Sequence, residues 1–172
     1  MGKLITLPVK KMRAKPRKWS LPAFQQRTHQ SQEAIQAACT VLVNDYKLLK
    51  RKKRVDYQHY INILQKVHAL HRRTASLSTT MYNDERLPFV VYIRRYPLLS
   101  ACFHVQQHAD KLIGLLKTAC ATYRTTPIEE AQLYQDLVNA LAALLESGRE
   151  ISSEITALLD QIRFCEQQRR II

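Results

Sequence analysis

Residues 127–169 read PIEEAQLYQDLVNALAALLESGREISSEITALLDQIRFCEQQR, and their apolar spacing decides the fold class. One heptad position runs Tyr134, Leu141, Gly148, Ile155, Ile162. A second runs Leu137, Leu144, Ile151, Leu158, Cys165. Two such positions, three and four residues apart, are the seam of a helix that packs against other helices. Thr126, Pro127 and Glu129 supply a capping hydroxyl, a proline at the first helical position and an early glutamate. Gly148 costs a helix about 1 kcal/mol relative to alanine. The register passes through it unbroken, so the reading is one helix over 127–169, roughly 60 Å long at 1.5 Å per residue.

Three more helices are read upstream. Ile35, Ala38, Leu42 and Leu49 recur at helical spacing and predict a helix over 22–50. Asp56 is a fitting N-cap for a second over 56–77, with Tyr57, Tyr60, Ile61, Leu64, Val67, His68, His71 and Ala75 on one face. Pro97 suits the opening of a third over 97–124, whose seam runs Leu99, Cys102, Gln106, Ala109, Ile113, Leu116, Cys120, Tyr123. Residues 81–96 read as irregular. Within them Phe89-Val90-Val91-Tyr92-Ile93 is β-branched and aromatic, which favours extended structure locally. A ribbon with Leu4–Leu7, a covering segment and a short helix all fit that stretch.

The fold class expected is therefore all-α: a four-helix antiparallel bundle over 21–172, with a long coiled-coil-like C-terminal helix and a basic arm over 1–20. The 172 residues suffice for one core, and 46% are hydrophobic. Three glycines are too few for a turn-rich β fold, and none builds a phosphate-cradling loop. No run of 18 apolar residues is present, so no transmembrane segment is expected. The other helices read as shorter than 127–169. That surplus predicts assembly, with a protein partner or a second copy meeting the C-terminal helix.

The net charge of +13 is not evenly spread. Residues 1–73 hold 17 basic and 3 acidic side chains; residues 74–172 hold 10 and 11. One cluster is Lys10, Lys11, Arg13, Lys15, Arg17 and Lys18, another Lys47, Lys50, Arg51, Lys52, Lys53 and Arg54. Arg72 with Arg73, and Arg94 with Arg95 between tyrosines, extend the pattern. Runs of one sign repel themselves, and a polyanion relieves that repulsion while shedding its condensed counterions. These sixteen residues are the candidate nucleic-acid contacts, on DNA or RNA, aimed at the sugar–phosphate backbone. The corresponding protein is a non-catalytic subunit or accessory factor of a nucleoprotein complex. It would be cytoplasmic and nucleoid-associated in a bacterium. In a eukaryote it would be nuclear, where 10–18 and 50–54 resemble import signals. The alternative is a helical adaptor that uses its seams to join an assembly, its basic half docking an acidic protein or anionic membrane.

No catalytic residue, cofactor or metal is expected. Cys39, Cys102, Cys120 and Cys165 are scattered among apolar neighbours and read as reduced core thiols. His68/His71 and His104/His108 have helical spacing, but no glutamate lies three residues before any of them. The basic half holds only Glu33, Asp45 and Asp56, too few and too dispersed for a nuclease metal site.

Overall fold

The computed structural model describes residues 20–51, 55–83, 86–123 and 127–169. Four helices occupy them: α1 (Leu21–Arg51), α2 (Tyr57–Asn83), α3 (Phe89–Ala121) and α4 (Pro127–Arg169). Except for Ser20, the expected arm lies outside the described residues, as does the Thr126 cap. Each helix packs on its neighbours in a ring, α1 on α2, α2 on α3, α3 on α4 and α4 on α1. Among the described residues α1 does not approach α3, nor α2 α4. The result is a bundle around one core, and no described helix is long and apolar enough to cross a membrane.

The seam of α4 is the centre of that core. Leu137, Leu141, Leu144, Ile151, Ile155, Leu158 and Ile162 are all buried, and Tyr134 and Cys165 pack against them. α1 follows α4 over most of its length. The Tyr134 hydroxyl donates to the Leu49 carbonyl at one end. The Gln32 amide donates to the Ser152 carbonyl (3.0 Å) and the Thr156 hydroxyl (2.8 Å) further along. Pro22 and Gln25 share a cleft with Leu159 and Arg163 near the other end. The seam is thus closed by α1 and α3 of its own chain, which run to 31 and 33 residues and leave α4, at 43, the longest of the four by ten residues.

Gly148 neither breaks nor bends the chain into a turn; it is helical, buried and without positive φ. Its lack of a side chain serves packing. A Cβ there would stand 2.6 Å from Cys39 Sγ, so α1 and α4 come together over this glycine.

Local signals placed some helix ends correctly. Asp56 Oδ1 accepts from the His59 N–H at 2.8 Å and caps α2. Ser20 caps α1, its Oγ accepting from the Ala23 N–H and its carbonyl from the Phe24 N–H. Two ends differ from expectation. α2 continues through the Ser/Thr cluster to Asn83, because Thr79 and Thr80 turn their hydroxyls onto the Ala75 and Ser76 carbonyls while Leu77 and Met81 enter the core. α3 begins eight residues early, at Phe89, so 89–93 is helix and not strand, and Pro97 lies inside it. Pro88 closes the first turn by accepting from the Tyr92 N–H at 2.8 Å. Val91 and Leu98, seven residues apart and both fully buried, outweigh the local β-preference and the N–H missing at Pro97. Their stripe continues through Val105 and Leu112, one residue off one row of the seam read from sequence, while the other row, Cys102, Ala109 and Leu116, is buried as expected. On α2 the expected Tyr60 and Val67 are buried, joined by Ile63 and Leu70 in place of the exposed His68.

Two outcomes test this packing. Gly148→Ala should yield none of the usual helix gain in the native chain but about 1 kcal/mol in a Cys39→Ala background, as read by urea unfolding. Equal effects in both backgrounds would contradict the close approach. Burial also pushes the Cys102 thiol from 9.0 up to about 12. The unfolded chain releases that proton first, so stability holds below pH 9 and falls as pH climbs toward 12. A Cys102→Ala chain should lose less stability over the same window.

Candidate nucleic-acid interface

Seven of the sixteen candidate contacts are among the described residues, and the structure separates them into four settings. Lys10, Lys11, Arg13, Lys15, Arg17, Lys18, Lys52, Lys53 and Arg54 lie outside those residues. Lys47, Lys50 and Arg51 are exposed at the C-terminal end of α1, with the Lys50 ammonium 5.3 Å from the centre of the Tyr46 ring. Arg72 and Arg73 are exposed on α2. Arg94 is partly exposed and sits 3.4 Å from the Glu154 carboxylate of α4, which offsets its charge.

Arg95 departs from expectation. It is 5% exposed, its Nη1 donating to the Met81 (3.0 Å) and Tyr82 (3.2 Å) carbonyls. Its guanidinium lies 3.7 Å from the centre of the Tyr92 ring. Those carbonyls belong to the last turn of α2, the negative end of the helix dipole. Arg95 therefore fastens α2 to α3, and it leaves the set of surface cations.

Arg72 and Arg73 instead meet a residue the charge runs did not single out. A cleft of about 510 Å³ lies between α1 and α2. Arg27, Gln30, Ser31, Arg72, Arg73 and Ser76 are among its lining residues, and no carboxylate is. Arg73 Nη1 donates to the Ala34 carbonyl at 2.8 Å, holding its guanidinium across the gap with its other N–H groups unused by that bond. Buried Leu77 and Met81 underlie the cleft, and Thr80 stands at its edge. Arg27 stands alone in sequence, which hid it. The usable signal was negative: neither Arg27 nor the Arg72–Arg73 pair has an acid within one helical turn.

Further along the same helix pair the electrostatics are closed. Asp45 is buried, with Lys66 Nζ at 2.8 and 3.1 Å from its two carboxylate oxygens and His59 Nε2 at 3.6 Å. This acid of the basic half is matched inside the fold and does not neutralise the cleft. On the opposite side, His71 pairs with Asp110 (3.3 Å) and His104 with Glu150 (3.4 Å). Neither histidine pair gathers into a ligand set, and among the described residues no group of three or more His, Cys, Asp or Glu could hold a metal. Desolvation raises the Cys39 and Cys120 thiols as well as Cys102, the reverse of nucleophile activation.

The cleft and the cationic end of α1 are separate places. From Arg27 to Lys50 the helix rises roughly 35 Å, several phosphate spacings apart. The chain matches no protein-family model, no curated protein and no solved structure, so the site is read from its own geometry.

The Asp45 contacts carry a stability test. Lys66→Met strands a buried carboxylate and should cost about 3 kcal/mol. Asp45→Asn leaves a lysine able to turn into water and should cost about 1 kcal/mol. Urea midpoints in the reverse order would show that Asp45 is not held as a buried anion.

Proposed function

We propose that this chain is a non-catalytic nucleic-acid-binding protein that holds the sugar–phosphate backbone along the α1–α2 side of the bundle. The observation that carries the reading is the α1–α2 cleft, which three arginines and no carboxylate help to line. Guanidinium forks match phosphate oxygens in pairs, and hydroxyls such as Ser31 and Ser76 suit the same acceptors. The exposed Lys47, Lys50 and Arg51 offer a second phosphate contact farther along α1. The clusters over 10–18 and 52–54 add charge of the same sign from neighbouring sequence. Cationic contacts to phosphates carry no base information, so recognition is by charge and spacing, with little sequence preference.

The contacts support an antiparallel order of helices. Lys66 meets Asp45 while Arg73, later in α2, meets Ala34, earlier in α1. That order puts the start of α1 beside the end of α2, which is how Arg27 comes to face Arg72 and Arg73. The bundle is then a scaffold, and its cationic side is the working surface of a nucleoprotein subunit in a nucleoid or a nucleus.

Protein purified at low salt should carry nucleic acid, seen in the 260/280 absorbance ratio, and lose it in a high-salt wash. If about six phosphates are neutralised, affinity for duplex should fall with salt at a log–log slope near −5. Replacing Arg27, Arg72 and Arg73 together by alanine should bring the slope to about −2, one unit per lost phosphate contact. Lys52→Glu with Lys53→Glu should weaken retention at an unchanged helical signal. A salt-independent curve would reject the reading.

A further inference from the structure

α3, whose first turns were expected to be irregular, carries five of the nine large hydrophobic side chains exposed among the described residues. Phe89, Ile93, Tyr96, Ser100 and Phe103 follow one another along α3 at steps of four, three, four and three. All five are exposed, Phe89 to 75% and Ile93, Tyr96 and Phe103 to about half. Val90, 51% exposed, widens the stripe. The opposite side of the same helix is core, with Val91, Leu98 and Val105 fully buried. Beyond Phe103 the outward positions turn polar at Gln107, Lys111 and Thr118, so the stripe has a definite end.

We propose that two copies of this chain associate through α3, stripe against stripe, about a two-fold axis passing beside Tyr96. The area fits. A fully exposed aromatic side chain offers about 200 Å². Three of them half or more exposed, with Val90 and Ile93, give roughly 500 Å² on each copy, and two copies together reach the ~1,000 Å² a specific interface needs. A patch that large is at the upper end of what a monomer leaves bare.

The order of side chains fits a second copy in particular. A two-fold interface must be complementary to itself, each residue meeting its counterpart's partner in both directions. Phe89 and Phe103 stand seven residues either side of Tyr96. Ile93 stands three before it, and Ser100 four after. Opposed about Tyr96, Phe89 meets Phe103 of the second copy, and the bulky Ile93 meets the small Ser100. That is the large-into-small matching of a helix seam. None of the five stripe residues lines the α1–α2 cleft. The inference does not depend on what the cleft binds.

The test is the mass of the full chain by sedimentation equilibrium across micromolar concentrations. A reversible dimer is expected. Ile93→Glu and Tyr96→Glu alter exposed side chains, so helical signal and dilute-solution unfolding should stay put while dimer affinity falls at least about 100-fold. Tyr96→Cys should cross-link copy to copy on mild oxidation, whereas Phe89→Cys, set opposite residue 103, should not. A monomer up to about 100 μM would overturn the proposal and leave the stripe to another occupant, such as Leu4–Leu7 or an acidic partner. A dimer indifferent to Ile93→Glu would overturn it too. So would a dimer that cross-links through residue 89 and not through 96.

Discussion

An apolar seam that runs unbroken from Tyr134 to Cys165 has to be covered on both flanks for its whole length, and the rest of the architecture follows from that demand. α1 and α3 meet it by running to 31 and 33 residues. A fully buried leucine or isoleucine contributes about 2 kcal/mol, and the seam holds seven of them. Gly148 is where the demand is tightest, since the thiol of Cys39 occupies the space a side chain would fill. The helix accepts the weaker propensity of glycine there because the close approach lets α1 stay in register with α4.

With apolar residues drawn into that core, the charged groups sort by helix pair. Between α2 and α3, and between α3 and α4, acids face bases: Asp110 with His71, Glu150 with His104, Glu154 with Arg94. Between α1 and α2 the balance differs. Asp45 is matched by Lys66 inside the fold, and the outer cleft is left with arginines alone. An imbalance of this kind costs stability through self-repulsion. In the proposed function, a polyanion at that side relieves the repulsion.

Long periodic stretches were legible in the sequence because many residues vote for the same face. The α4 limits, 127 and 169, are those the heptads indicate. The Asp56 cap was legible because it is a local hydrogen bond. Residues 89–93 were not, since five β-branched and aromatic residues state a local preference that burial of Val91 and Leu98 overrides. The end of α2 was missed for the complementary reason: hydroxyls that usually mark a turn can be satisfied within a helix. At the candidate site, Arg72 and Arg73 stood out as a pair. Arg27 did not, because its partners are 45 and 46 residues away in sequence and only the fold unites them. Arg95 looked like a surface cation, and its burial depends on carbonyls that α2 presents only by extending past its expected end.

The account's central claim is that phosphates are held on the α1–α2 side and nowhere else on the bundle. Amide hydrogen exchange of the full chain, with and without a saturating oligonucleotide, tests it most directly. Slowed exchange is predicted along α1 from Arg27 to Arg51 and along α2 around Arg72–Thr80, with α3 and α4 unchanged. Slowing confined to α3 or α4, or none at saturation, would contradict it.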